Sequence, residues 1–173
     1  MDATIVIPTF NRSDRLLRCL QAVGEQDLST YKVEVIVVDD GSEDDTVSTV
    51  NGLLADFPIP LRVISNNGKG PASARNTGMA AAESPLILYT DDDCVPQPTW
   101  AYSLIQYFHR HLEVDAVGGE IERLYDTHIS IYIDNCGYMR QAREGESIQF
   151  LVTANAGFRK QALINVQGFD ERK

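Results

Sequence analysis

Residues 33–38 read Val-Glu-Val-Ile-Val-Val, a β-branched run that stops at Asp39-Asp40-Gly41-Ser42. A strand whose apolar side chains point both ways needs cover on both faces. Chains provide that cover by setting such a strand in a parallel sheet between two layers of helix. The neighbouring sequence repeats the unit. Thr4 to Ile7 is β-rich and ends at Pro8, and Ser13 is placed to cap a helix whose apolar stripe is Leu16, Leu17, Leu20 and Val23. Thr46 to Phe57 reads as a second amphipathic helix through Val47, Val50, Leu53 and Leu54. Leu61 to Ile64 is a third strand. Gly70 to Ala82 is an Ala-rich helix with Pro71 in its first turn.

Leu86 to Thr90 is a fourth strand, ending in Asp91-Asp92-Asp93, and Thr99 to His111 is helical. Ala116 to Val117 starts a further strand. Phe150 to Thr153 reads as a strand and Lys160 to Val166 as a short helix. Four consecutive βα units predict an α/β fold: an open, mostly parallel sheet with helices on both faces. In such sheets ligands bind beyond the carboxyl ends of the strands. The polar clusters fall there: Pro8 to Asn11, Asp39 to Ser42, Asn66 to Lys69 and Asp91 to Asp93.

A length of 173 residues suits one domain. The chain carries 15 Lys and Arg against 25 Asp and Glu, a net charge of −10. That balance argues against a nucleic-acid partner, which needs a basic footprint, and against electrostatic docking on anionic lipid. The three cysteines, Cys19, Cys94 and Cys136, are odd in number and widely spaced. They form neither a disulfide framework nor a zinc pattern, which predicts a reduced, cytoplasmic setting. The N-terminus lacks the basic and apolar regions of a signal peptide, and no apolar run is long enough to span a bilayer.

The acid turn after the fourth strand has one specific chemical use. Its first and third residues, Asp91 and Asp93, can point the same way and offer two carboxylates to a hard cation. Oxygen-only ligation selects Mg2+ or Mn2+, with water and a substrate diphosphate completing the shell. A solvated acidic turn is the plain alternative. Glu43, Asp44 and Asp45 suit the N-terminus of the following helix, where the dipole favours anions. Asp40, nearer the strand end, can accept from the imide N–H of uracil or thymine, or from guanine. Gly68 and Gly70 let backbone approach a ligand, while Lys69 and Arg75 offer cationic donors. His109 and His111 face different ways on one helix and His128 is isolated, so none suggests a metal site. Trp100, Tyr102, Ile105 and Phe108 read as core. The first turn, Pro8-Thr9-Phe10-Asn11, has no glycine, which removes the P-loop and dinucleotide-binding readings.

Taken in order, IVIPTFNR, VVDDGSEDDT, NNGKGPASARNTG, YTDDDCVPQP and NAGFRKQALINVQGFDE resemble the family 2 inverting glycosyltransferases of the GT-A fold. The resemblance covers nearly the whole chain. It implies a Rossmann-like GT-A domain with Pro8, Thr9 and Asn11 against the nucleoside and Asp40 reading the base. Arg75 is similar to the family's basic residue near base or phosphate, with Lys69 assisting. Asp91 and Asp93 match the two acids of the DxD element, Asp93 as the main metal contact and Asp91 toward ribose or metal. Asn155 and Arg159 fall in the segment that resembles the acceptor side. The family's catalytic base belongs to a Glu-Asp element downstream of the segment that Asp170 and Glu171 match. The resemblance therefore places the base beyond Lys173, and none is assigned within the sequence. Residues 1–173 are expected to form a single GT-A domain cut at its C-terminal end, with its own turnover in question for want of that base. The usual Gly-Gly-Phe is Gln167-Gly168-Phe169 here.

The implied reaction moves a sugar from a nucleotide diphosphate, UDP by default, to a hydroxyl acceptor that is a sugar, a lipid-linked molecule or another alcohol. GDP- and dTDP-sugars remain open as donors. The expected cofactor is Mg2+ or Mn2+. The expected location is cytoplasmic, or at a membrane through sequence not present here, and self-association through uncovered apolar surface is part of the expectation. A sugar nucleotidyltransferase would want a glycine-rich basic loop after the first strand, where PTFNR stands. A phosphoacceptor signalling domain would want acids in that early turn. A noncatalytic nucleotide-sugar-binding fragment is the third alternative.

Overall fold

The computed structural model describes residues 1–28, 30–121 and 151–172. Within them the chain forms β1 (Ala3–Thr9), α1 (Ser13–Gly24), β2 (Val33–Asp39), α2 (Thr46–Leu53), β3 (Leu61–Ser65) and α3 (Pro71–Ala81). It continues through β4 (Leu86–Tyr89), α4 (Trp100–Arg110), β5 (Ala116–Gly118), a 3-10 turn (Thr153–Asn155), β6 (Ala156–Arg159) and α5 (Lys160–Asn165). His128, Cys136, Phe150 and Lys173 lie outside the described residues. No helix among the described residues is long and apolar enough to cross a membrane.

The six strands make one sheet in the order β3-β2-β1-β4-β6-β5. The first four are parallel, whereas β6 runs antiparallel to both β4 and β5. All seven residues of β1 and of β2 are buried, as a β-branched run at the middle of a sheet requires. Their alternation sorts two cores. Ile5, Ile7, Val35 and Val37 face α1, α2 and α4, packing with Leu16, Leu20, Val50 and Phe108. Val6, Ile36 and Val38 face the other way, toward Ala74 of α3 and Leu163 of α5. Glu34 is tolerated within β2 because its carboxylate accepts from Thr4 Oγ1 at 2.9 Å and from Arg62 Nε at 3.3 Å. Burying a charge without such partners costs several kcal/mol, about 3–5 when a partner is removed.

Three sequence expectations shift. Residues 151 and 152 are not strand, and Thr153 opens the 3-10 turn, so the strand expected over Phe150 to Thr153 is displaced to β6. Its sequence, Ala-Gly-Phe-Arg, carries little strand signal. Contact selects it instead, because a Cβ at Gly157 would come within 2.9 Å of Phe108 and 3.1 Å of Leu88. Helix α2 ends at Leu53 rather than Phe57, leaving Leu54 exposed. Ser13 does not cap α1. Its hydroxyl bonds Thr49 Oγ1 at 2.8 Å, and its backbone N–H is taken by Asp44 Oδ2 at 3.3 Å.

Candidate functional site

The chain passes from β1 through β2 to β3 on one side, then crosses to β4 on the other side of β1. The carboxyl ends of β1 and β4 therefore flank the crevice where open α/β sheets bind ligands. An open cleft of about 390 Å³ lies there, within the usual range for small-molecule sites. Pro8, Thr9, Phe10 and Arg12 enter it from the end of β1, Asp40 from β2 and Asp91, Asp92 and Asp93 from β4. The first turns of α3 supply Pro71, Ala74 and Arg75.

The three consecutive acids divide their work. Asp92 turns inward, where its Oδ2 accepts from Thr9 Oγ1 at 2.8 Å and its Oδ1 from Arg12 Nη1 at 3.0 Å. Burial raises its carboxyl pKa, against the lowering effect of those two bonds. The bond and charge of Asp92 in turn raise the Arg12 guanidinium. Asp91 accepts from Arg75 Nη2 at 2.7 Å. Asp93 accepts from Arg12 Nη1 at 3.2 Å and pairs with Arg15 Nη1 at 3.6 Å. Beneath the turn, Cys94 is pushed up to about 11, first by burial and then by the charge of Asp91. Cys19 is raised further by burial, and its thiol donates weakly to the carbonyl oxygen of Asp91. Neither thiol is a ready nucleophile at neutral pH.

Asp40 is held by the glycine-rich loop. Its Oδ1 accepts from Asn66 Nδ2 at 2.6 Å and from the Lys69 N–H at 2.9 Å, while its Oδ2 accepts from the Gly70 N–H at 2.8 Å. Gly70 sits at φ +95°, where an L side chain is strained, and it delivers the chain into α3 at Pro71. Arg75, one turn along α3, keeps a buried Nε that meets no acceptor among the described residues.

Of the residues singled out by sequence, Pro8, Thr9, Asp40, Arg75, Asp91 and Asp93 line the cleft. Four do not. Asn11, in left-handed conformation at φ +54°, ties this turn to the next one: its N–H donates to Ser42 Oγ, and its Oδ1 accepts from the Glu43 N–H. Lys69 contributes its backbone N–H and leaves its side chain exposed. Asn155 accepts from Trp100 Nε1 at 2.8 Å and donates to the carbonyl of Glu120. Arg159 donates to the carbonyls of Phe108, His111 and Val114, closing the C-terminus of α4, with its guanidinium 5.3 Å from the Phe108 ring centre. Lys173 lies outside the described residues, and no general base is assigned among those described. Sequence reading passed over Phe10, Arg12 and Asp92. Phe10 did carry a signal, as an aromatic in a polar turn with nothing nearby to bury it, and it is 52% exposed.

The sequence profile of glycosyl transferase family 2 matches residues 4–166. The chain belongs to that family. This family 2 chain is 30% identical over 122 residues to glycosyltransferase AglE of Haloferax volcanii, a match over 70% of this chain and 40% of the relative. It is 36% identical over 112 residues to the pre-mycofactocin glycosyltransferase of Mycobacterium tuberculosis, covering 62% of this chain and 21% of that protein. Among solved structures, S. aureus TarS 1–349 superposes with a TM-score of 0.79 at 20% identity, over 99% of this chain and 51% of that one. The mannosyltransferase PcManGT of Pyrobaculum calidifontis, in complex with GDP-Man and Mn2+, gives 0.79 at 24% identity over 98% and 47%. These likenesses show the GT-A fold. The chain spans less than half the length of those two curated relatives.

Proposed function

We propose that this family 2 domain binds a nucleotide-diphosphate sugar, with UDP-sugars favoured, and transfers the sugar with inversion to an acceptor hydroxyl. The observation that carries the reading is the composition of the cleft at the switch between β1 and β4. It joins an exposed aromatic, two guanidiniums and a pair of outward carboxylates in one small volume.

Each part suits part of the donor. The exposed ring of Phe10 offers a face on which a planar base can stack. Asp40 retains acceptor capacity on Oδ2 toward a base N–H. Arg75, with its orphaned Nε, suits an anionic or ribose oxygen, since a buried donor without an acceptor costs about 1–3 kcal/mol. The donor set also fits a hard cation. No cluster of three or more metal-ligating side chains exists among the described residues. Asp93 and Asp91 would hold Mg2+ or Mn2+ as two oxygen ligands, leaving positions to the diphosphate and water. A cation there would supply Lewis-acid stabilisation to the departing diphosphate. The chain's own contribution is positive charge: Arg75, and Arg12 at the mouth of the turn, would face the place where negative charge develops. Buried Asp92 orients that turn. We assign no general base among the described residues. The acceptor is a hydroxyl of a sugar, a lipid-linked molecule or another alcohol. A nucleotide-sugar-binding unit without turnover is the second reading, favoured by the structural engagement of Asn155 and Arg159 away from the cleft.

Calorimetric titration with UDP, GDP and dTDP, each with and without Mn2+, tests the proposal. UDP with Mn2+ is expected to bind most tightly, and D93A to lose the metal-dependent part without unfolding. Unchanged Mn2+-dependent affinity in D93A would remove Asp93 from the metal site. Failure of every nucleotide to bind the wild type would remove the function. Sugar transfer from a UDP-sugar onto an alcohol by these 173 residues would decide against the binding-only reading, and would also overturn the expectation that the general base lies beyond Lys173.

A further inference from the structure

Each of the three acids in the β4 turn is met by a guanidinium, and the three arginines are held differently. Arg75 is nearly buried against Asp91, its side chain 15% exposed. Arg12 is 46% exposed, lines the cleft, and bridges Asp92 at 3.0 Å and Asp93 at 3.2 Å through the same Nη1. Arg15 is 53% exposed and reaches Asp93 at 3.6 Å from outside the cleft.

The two carboxylates on Arg12 are unequal. Asp92 is fixed: its side chain is 5% exposed and its other oxygen is taken by Thr9. Asp93 is 44% exposed, and the oxygen that meets Arg12, Oδ2, is also the one nearest Arg15. A divalent cation binding Asp93 competes with both guanidiniums for one small anionic group. An arginine displaced from Asp93 stays anchored by Asp92 at the mouth of the cleft, with its remaining N–H donors free. A diphosphate arriving beside that cation brings the anionic oxygens that such a fork binds best.

We propose that Arg12 is a diphosphate-binding residue kept on Asp93 until the donor arrives: its guanidinium sits on the carboxylate that the cation later takes, and cation binding releases it to the diphosphate. Arg15 shares the competition but does not reach the donor. The proposal rests on the nucleotide-diphosphate reading of the cleft. It goes further by giving metal and diphosphate affinity opposite dependences on one side chain.

That opposition is the test. Mn2+ binding to nucleotide-free protein is measured by water-proton relaxation, UDP binding in saturating Mn2+ by calorimetry, and folding by the melting temperature. R12Q should bind Mn2+ about two- to fivefold more tightly, the worth of an exposed ion pair. It should bind UDP about tenfold more weakly, the worth of a lost charge-assisted bond. R15Q should show the first change without the second, and R12K should recover part of the UDP affinity. A merely structural arginine would weaken both ligands. R12Q that weakens both, or moves neither, overturns the proposal, as does Mn2+ binding undetectable in the wild type, R12Q and R15Q alike. Wild-type protein that binds no nucleotide overturns the donor reading itself, a result distinct from wild-type binding with the wrong signs in R12Q.

Discussion

Gly78 is where the packing of the sheet and the geometry of the cleft meet. It lies on the buried face of α3, and a Cβ added there would stand 2.3 Å from Val6 Cγ1, 3.1 Å from Val38 Cγ2 and 3.2 Å from Val6 Cγ2. The first distance is more than an ångström short of ordinary contact. Val6 cannot yield, because β1 is held in register between Ile36 of β2 and Tyr89 of β4. The helix must lift instead. Two effects oppose one another in G78A. Overpacking a core costs about 1–3 kcal/mol. Replacing glycine by alanine in a helix interior returns about 1 kcal/mol. The clash wins by about 1 kcal/mol, which lowers the melting temperature of a chain this size by about 2–4 °C. The effect on the cleft is larger. Arg75 stands one turn before Gly78 and holds Asp91 at 2.7 Å, so a lift of about an ångström along that bond takes it past the limit of hydrogen bonding. Thermal melting and UDP calorimetry on G78A should therefore show a small stability loss with a disproportionate loss of nucleotide affinity. A variant that melts higher than wild type and binds UDP normally would refute the argument, because helix propensity would then outweigh a contact that could be relieved without moving Arg75.

Asn76, next to Arg75, faces the other way and holds the chain after α5. Its Nδ2 donates to the Phe169 carbonyl at 2.9 Å and its Oδ1 accepts from the Phe169 N–H at 2.8 Å. N76A should therefore raise hydrogen exchange at Phe169 by about tenfold or more while leaving β1 and β2 protected; equal loss throughout the sheet would count against a local clamp. Asp44 has its pKa lowered first by the Thr46 hydroxyl, then by the Thr46 and Ser13 N–H groups. A depressed carboxylate stabilises the fold above its unfolded pKa and loses that contribution as pH falls through the folded one. The melting deficit of D44N should thus be full at pH 7, begin to shrink as pH falls toward 3.8, the carboxyl's ordinary value, and vanish only below the depressed folded value; a deficit independent of pH would contradict it. D40N should melt about 4–8 °C lower even without nucleotide, from about 2 kcal/mol of loop hydrogen bonding, and a normal melting temperature would mean that the loop stands without this acid.

The parallel part of the sheet was legible because its signals are local. Runs such as Val35 to Val38 carry both faces of a strand within a few residues, and α1 and α4 carry their stripes over three turns. Strand β6 was not legible, because Gly157 belongs there only through its contacts with Leu88 and Phe108, far away in sequence. The same boundary separates the readable half of the site from the rest. Asp91 and Asp93 stand out as acids one and three beyond a strand. That Asp92 turns inward depends on Thr9, 83 positions earlier, and on β1 lying beside β4, which strand order alone decides. Arg12 was passed over for the same reason: its role exists only once the end of β1 faces the end of β4.

Asp40 shows how a residue singled out for one role can be held by the fold in another. Its position at a strand end selects it as a ligand-facing acid, and it lines the cleft. Three of its roughly four acceptor sites are nevertheless filled by Asn66, Lys69 and Gly70, so its first task is to shape the loop that launches α3. Helix α3 carries Arg75, and Arg75 holds Asp91. A change at Asp40 thus reaches the acid turn through a chain of bonded contacts, whatever it does to a base. Loss of nucleotide affinity in D40N alone would not show that Asp40 reads the base. A change in the preference between UDP and GDP would, because loop damage weakens both nucleotides while a base contact distinguishes them.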